Sequence, residues 1–312
     1  MISQDKILRD GKLHAFLLGS GGPINNDKRV ASSIAIIAGG EFLLFDVGPG
    51  SYRNVDVLRL PAGNLSAIFL THFHSDHIGD LGEANMLSWV NGREKALEVY
   101  GPKGVERVVK GFEIAYELDT GYRIAHHGTE ILSLDNGKMI SKPILIEKKD
   151  ERKLCFERNE LKVFAFLVDH SPIKPAFGYR IEYKGIIIAI TGDTVKTENL
   201  VKHCKGADLL FSEAISYNML NNIVSGAKKM KFDRYAKILT DIQNYHMNPL
   251  LAGELAKEAR VNKIIFVHIT PYLPNENAEK MYLKGVNEIF NGEIILGKDK
   301  MKFHLYTKED GK

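Results

Sequence analysis

Seven residues, Thr71-His72-Phe73-His74-Ser75-Asp76-His77, hold three imidazoles and a carboxylate, the side chains that bind zinc and similar first-row ions while leaving coordination positions open. They follow the apolar run Ala67–Leu70 and lead into a helical pattern. His72 and His74 are two residues apart, so on an extended or turning segment both point the same way, whereas Asp76 and His77 are adjacent and diverge. Four ligands from seven residues on one ion would be cramped; two ions sharing them is the easier geometry. Burying so many polar groups together without a cation would be costly.

Each ion then needs ligands from elsewhere. His170, Asp193 and His268 stand at the ends of apolar runs, where sites are commonly built. Asp193, in Thr191-Gly192-Asp193-Thr194, is the candidate to bridge two ions through its two oxygens. A lone histidine at a strand end is more often a hydrogen-bonded surface or core residue, so His170 and His268 gain weight only from the 72–77 cluster. His14, His126, His127, His203 and His304 lack that context.

The elements that must position these groups follow from periodicity. Strands are expected near 13–18, 33–37, 42–46, 67–71, 98–100, 161–167, 178–183, 186–191, 209–212, 263–267, 293–296 and 302–306. Helices are expected near 76–89, 104–118, 197–203, 227–244, 250–259 and 278–290. Two strand-rich halves with interleaved helices imply two sheets packed face to face with helices outside, a four-layer αββα arrangement of the α/β class. No linker divides residues 1–312, so the chain reads as one domain. Residues 91–160 separate the two strand sets and read equally as a lid or substrate-binding insertion and as a covering helix. Trp89, Tyr116, Tyr122 and Arg123 would shape a pocket there, though core packing accounts for Trp89 and Tyr116 as well.

The chain is long enough for a full core, with 44% hydrophobic residues, and its net charge of +3 does not by itself imply a polyanionic partner. Two cysteines, Cys155 and Cys204, make no disulfide framework and suit a reducing compartment. No run approaches the ~20 apolar residues of a membrane span. A cytoplasmic enzyme without membrane contact is the expectation.

These motifs resemble the metallo-β-lactamase superfamily over most of the chain. Leu18-Gly19-Ser20-Gly21-Gly22-Pro23 is similar to its first glycine turn, and Leu43-Leu44-Phe45-Asp46-Val47-Gly48 to the motif whose aspartate supports a metal ligand. Val168-Asp169-His170 with Phe177-Gly178-Tyr179-Arg180 resembles the third histidine motif of the ribonuclease Z and arylsulfatase-like branch. Thr191–Thr194 and Val267-His268-Ile269-Thr270 resemble the bridging-aspartate and final-histidine motifs. The resemblance implies an αββα sandwich with the site at one edge and two divalent ions, usually zinc and in some branches manganese or iron. His72, His74 and His170 would hold one ion and Asp76, His77 and His268 the other, with Asp193 between them. It also implies a catalytic group of Asp76, His246 and Glu213. His246, in Tyr245-His246-Met247, would protonate the leaving oxygen and Glu213, in Ser212-Glu213-Ala214-Ile215, would orient it. Homodimers are common in the branch.

Two departures bear on substrate. The ribonuclease Z motif His-Glu-Ala-Thr reads Ser212-Glu213-Ala214-Ile215 here. The long Gly/Pro-rich arm with which bacterial ribonuclease Z grips tRNA, set between its third histidine and its bridging aspartate, has no room between His170 and Asp193. The expectation is therefore a hydrolase of small phosphodiester or sulfate esters, phosphodiesterase- or arylsulfatase-like, working by attack of a metal-bridging hydroxide with His246 as general acid. The alternative is a tRNA 3′-processing endoribonuclease. For it Lys228, Lys229, Lys231, Arg234 and Lys237 offer phosphate contacts, although a solvated helix face is the plainer reading of that run. A non-catalytic reading, with structural metals, is disfavoured because every expected ligand position is filled.

Overall fold

The computed structural model describes residues 4–24 and 26–306. Its strands are β1 Leu13–Gly19, β2 Ser33–Ala38, β3 Glu41–Phe45, β4 Leu65–Phe69, β5 Leu97–Gly101, β6 Met139–Pro143, β7 Arg152–Arg158, β8 Leu161–His170, β9 Ile173–Tyr183, β10 Ile186–Ile190, β11 Leu209–Ile215, β12 Lys263–Thr270, β13 Glu293–Leu296 and β14 Met301–Leu305. Its α-helices are α1 Gln4–Arg9, α2 Arg53–Val57, α3 Ser75–Ile78, α4 Leu81–Val90, α5 Val105–His127, α6 Leu134–Gly137, α7 Glu198–Cys204, α8 Tyr217–Lys229, α9 Asp233–Asp241, α10 Pro249–Glu258, α11 Glu276–Tyr282 and α12 Val286–Ile289.

The strands form two seven-stranded sheets, ordered β14-β1-β2-β3-β4-β5-β6 and β13-β12-β11-β10-β9-β8-β7. Each is antiparallel on one side and parallel on the other, with β3, β4, β5 and β6 parallel in the first sheet and β10, β11, β12 and β13 in the second. The period of two along each strand divides its side chains between layers. Phe45, Phe69, Tyr179, Ile188, Phe211 and Ile265 meet between the sheets. From the same strands Leu44 and Ile68 face outward onto Val55, Leu81 and Val105. Leu210 and Phe266 face outward on the other side, onto Leu200, Leu255 and Tyr282. This is the four-layer αββα arrangement, and strands covered on both faces explain why their runs are apolar throughout rather than alternating.

The aromatic packing also builds a floor for what lies above it. The Phe69 ring stacks on Phe45 at 5.0 Å and meets Tyr179 edge-on at 5.7 Å, joining the two sheets. The Tyr179 hydroxyl then donates to the Leu70 carbonyl at 2.7 Å, two residues before His72. Burying each of these rings is worth roughly 1.5–3 kcal/mol.

The observed elements differ from the expected ones in several places, among them the helix expected at 278–290, which is two, α11 and α12, separated at Gly285. The helix expected at 76–89 is two, α3 and α4, broken at Gly79-Asp80. The helix expected at 104–118 runs on to His127 with mostly exposed side chains, which lets its later turns pass without a clear apolar stripe. The helix expected at 227–244 is a hairpin, α8 and α9, which turns where Lys231 takes a left-handed backbone. Strands β6 and β7 were not anticipated; both are sheet edges with few buried side chains, so the apolar signal is weak. Residues 91–160 thus supply β5 and β6 to one sheet and β7 to the other. Trp89 and Tyr116 pack with Met86 and Leu132. Among the described residues no helix is long and apolar enough to cross a membrane.

Candidate metal centre

The cluster forms at the carboxyl ends of the strands. Asp46 follows β3, residues 71–77 follow β4, His170 ends β8, Asp193 follows β10, Glu213 lies near the end of β11 and His268 near the end of β12. Backbone dipoles and loops at such ends are the usual place for ligands in mixed sheets. Here the edges of both sheets open on the same side.

All seven expected ligands come together. Ligand atoms of His72, His74, His170 and Asp193 lie within 4.8 Å of one another, as do those of Asp76, His77 and His268. Asp193 Oδ2 sits 3.3 Å from both His77 Nε2 and His268 Nε2, 3.8 Å from His72 Nε2 and 3.9 Å from His170 Nε2. Asp76 Oδ2 is 3.2 Å from His268 Nε2 and 3.5 Å from His77 Nε2. All are buried except His74, which is exposed at the mouth.

The surrounding groups determine which imidazole nitrogen faces inward. The Tyr245 carbonyl only accepts, so His170 Nδ1 donates to it at 3.0 Å. Asp46 Oδ2 accepts from His77 Nδ1 at 2.7 Å and from the Thr71 hydroxyl at 2.8 Å. With its proton so engaged, Thr71 Oγ1 accepts from His72 Nδ1 at 3.0 Å. Three rings therefore have their Nδ1 protons held outside the cluster and Nε2 directed into it, the arrangement that second partners impose on metal-binding histidines. Nε2 of His77 and of His170 is buried without a well-aligned hydrogen-bond partner. Orphaned buried nitrogens around a carboxylate are what a cation would satisfy, and the donor set suits zinc, manganese or iron.

Electrostatics agree. Burial, the largest single influence, pushes His77 and His268 down, but Asp193 and Asp46 together outweigh it for His77, as Asp193 and Asp76 do for His268; His77 ends well above the usual imidazole range and His268 at about 9. Burial raises the Asp193 carboxyl, yet His268 and His77 hold it well below the usual range. Asp76 is likewise raised by burial and lowered more by its bonds to His268 and His77. His72 has burial and neighbouring His77 against it and lies well below the usual range.

His246 stands beside this cluster, 5% exposed, with its ring 5.2 Å from that of His268 and 5.1 Å from that of His170. Its Nδ1 faces Glu213 Oε1 at 3.2 Å. The same oxygen accepts from Thr194 N at 3.1 Å and Met247 N at 3.0 Å, which pins the carboxylate. A ligand atom of His246 also falls within 4.8 Å of Asp193 and His268. The sequence reading did not single out the supporting roles of Thr71 and Tyr245. Thr71 lies inside the motif and Tyr245 precedes His246, but only the folded chain shows their contacts.

A family model described as "Beta-lactamase superfamily domain" matches residues 42–269. A ribonuclease Z of Mycolicibacterium gilvum is 31% identical over 287 residues, covering 91% of this chain and 93% of that protein. One of Mycobacterium bovis is 29% identical over 95% of this chain and 99% of its own length. Among solved structures, human tRNase Z, short form, superposes with a TM-score of 0.66 at 24% identity, over 93% of this chain and 98% of that one. The metallo-β-lactamase fold protein YhfI from Bacillus subtilis gives 0.66 at 19% identity, over 94% and 100%. At these identities the structures establish the fold.

The relatives correct the expectation of a small phosphodiester or sulfate ester as substrate. That expectation rested on the missing arm between His170 and Asp193. Proteins named ribonuclease Z align to this chain over 93% and 99% of their own length, and neither of them, nor either structural neighbour above, is named a phosphodiesterase or sulfatase. The connection here is the β9–β10 hairpin, and the match to those proteins holds across nearly the whole chain despite it.

Proposed function

This chain belongs to the metallo-β-lactamase superfamily, in the branch that holds ribonuclease Z, and we propose that it is a tRNA 3′-processing endoribonuclease. The observation that carries the reading is the near full-length match to proteins named ribonuclease Z, combined with a complete set of seven candidate ligands and a buried histidine beside them. On this reading the chain is a single hydrolase domain.

His72, His74 and His170 would hold one divalent ion, Asp76, His77 and His268 a second, and Asp193 would lie between them. Bound there, divalent ions supply Lewis acidity toward the phosphate and a water-derived nucleophile at neutral pH. The chain's own groups do the rest. Asp46, directly and through Thr71, and the Tyr245 carbonyl hold the imidazoles in the tautomer that leaves Nε2 free. Glu213 fixes His246 by Nδ1, which leaves Nε2 to carry the proton that the departing ribose oxygen takes up. Asp76 Oδ2 lies 3.2 Å from His268 Nε2, which ties the loop after β4 to the end of β12 within the second ligand group. Burial of these groups keeps water from competing for the bonds that orient them.

The test is incubation of the purified protein, loaded with zinc or with manganese, with a precursor tRNA carrying a 3′ trailer. The expected result is endonucleolytic release of the trailer. Intact precursor with both metals, from protein shown to contain the ions, would overturn the proposal.

A further inference from the structure

The basic run at 228–237 has no part in the chemistry above, and the fold puts it in a telling place. Helix α8 begins two residues after β11 ends, four after Glu213, and the return from α9 delivers His246. The hairpin is thus rooted at both ends in the site. It has a small core of its own, Leu220, Val224 and Ala227 against Ala236 and Leu239, joined by Ile215 at its base. The Tyr217 hydroxyl donates to the His246 carbonyl at 2.5 Å, and Gln243 Nε2 donates to Asn221 at 3.1 Å across the two arms. Thirteen residues of α8 carry the turn about 20 Å along the helix axis from its root.

The side chains at that turn are unlike an ordinary solvated face. Lys228, Lys229, Lys231, Arg234 and Lys237 are all exposed. Lys237 pairs with Asp241 at 2.5 Å, while the other four have no acidic partner among the described residues. Met230, Phe232, Tyr235 and Ile238 are exposed among them, at 65%, 56%, 44% and 49%. Unpaired cations interleaved with exposed aromatic rings are the composition that tracks a phosphate backbone and stacks on bases. Four large apolar side chains exposed within nine residues form a patch of the kind that marks an interaction site.

We propose that the α8–α9 hairpin is an RNA-docking surface, in which Lys228, Lys229, Lys231 and Arg234 contact backbone phosphates of the substrate beyond the scissile bond and Phe232 and Tyr235 pack on it. The inference rests on the ribonuclease reading. It assigns the grip on RNA to an element between Glu213 and His246, in a chain whose His170–Asp193 connection is only a hairpin. Because both arms run straight into the site, RNA held at the tip is held in register with the catalytic histidine.

The test compares wild type, the K228Q/K229Q/K231Q/R234Q variant, its all-arginine counterpart (K228R/K229R/K231R) and a control with glutamine at Lys12, Lys95, Lys162 and Lys184. The control lysines lie near the amino ends of β1, β5 and β8 and in the β9–β10 turn, away from the site. Affinity for precursor tRNA is measured as a function of salt, with thermal melting to confirm folding. The hairpin glutamines should weaken binding about 10–100-fold near 0.1 M salt and lower the slope of log affinity against log salt by roughly 3, at about 0.7–0.9 per phosphate contact. The arginine variant and the control should retain the wild-type slope. A wild type that cleaves precursor tRNA, with a folded glutamine variant of unchanged affinity and slope, would overturn the hairpin role alone. A wild type that neither binds nor cleaves would overturn the ribonuclease reading and this inference with it. Loss of binding to anionic vesicles, with RNA affinity unaltered, would assign the surface to a membrane instead and overturn the RNA role.

Discussion

Asp46 is the residue whose replacement separates metal affinity from fold stability. It follows β3 with a left-handed backbone, φ +55°, which asparagine tolerates as well as aspartate does. Its carboxylate accepts from Thr71 N at 2.8 Å, Thr71 Oγ1 at 2.8 Å and His77 Nδ1 at 2.7 Å. In D46N the oxygen facing Thr71 N remains, and the amide nitrogen replaces the oxygen facing His77. That nitrogen only donates. His77 Nδ1 must then accept, so the ring proton moves to Nε2 and occupies the lone pair that points into the cluster. The flipped amide would set its NH2 against the Thr71 N–H, which is no better. Loss of such a supporting partner lowers metal affinity by roughly 10–100-fold, or about 1.4–2.8 kcal/mol at ~1.4 kcal/mol per factor of ten. The metal-free fold should lose only about 1–2 kcal/mol, since Thr71 Oγ1 and His77 Nδ1 can both turn from donor to acceptor and keep neutral bonds to the amide. D46A should lose about 3–5 kcal/mol of metal-free stability, because it leaves buried donors unpaired. Competition against a chromogenic chelator measures the affinity, and urea denaturation in excess EDTA measures the stability. A folded D46N with wild-type metal affinity would refute the tautomer argument.

Three further outcomes follow from particular contacts. Replacing His246 by alanine should slow cleavage of precursor tRNA by about 10²–10⁴-fold while an activated aryl phosphodiester, whose leaving group needs no proton, loses far less; equal losses would remove the general-acid role. His203 is stacked on Phe166 at 4.9 Å, and burial, then Lys202 and Arg152, lower it to about 4. Between about 4 and the ordinary 6.5 of an unfolded imidazole, the unfolded chain binds a proton that the folded chain does not, so stability falls as pH drops through that window. H203F should therefore lose about 1–2 kcal/mol less than wild type between pH 7.5 and 5; parallel denaturation profiles would count against this. A Cβ at Gly48 would lie 2.1 Å from the Asp76 carbonyl oxygen and 2.7 Å from Ala31 Cβ, so G48A forces the backbone carrying Asp76 to move. It should cost about 2–4 kcal/mol, and an unaltered melting temperature would show that the loop yields more easily than its packing implies.

Much of this protein is legible along the chain, for reasons of range. Residues 71–77 announce metal chemistry because four ligand side chains follow one another, and burying them together without a cation is costly whatever the rest of the fold does. The interior strands announce themselves because sheets covered on both faces require unbroken apolar runs, so two layers of strands with helices outside could be inferred from pattern alone. The resemblance of separate motifs named all seven candidate ligands. Edge strands β6 and β7 and the break at Lys231 were not readable, since an exposed edge needs no apolar run and a left-handed lysine leaves no signature. The tertiary structure alone decided the contacts among residues far apart in sequence. It brought Asp193 within 3.9 Å of four imidazoles, attached the Tyr245 carbonyl to His170 and the Asp46 carboxylate to His77, and placed a basic hairpin with its roots in the site. Local sequence carries ligand type, but the tautomer and direction of His77 and His170 depend on partners 31 and 75 residues away, and only the closed sandwich brings those partners into contact.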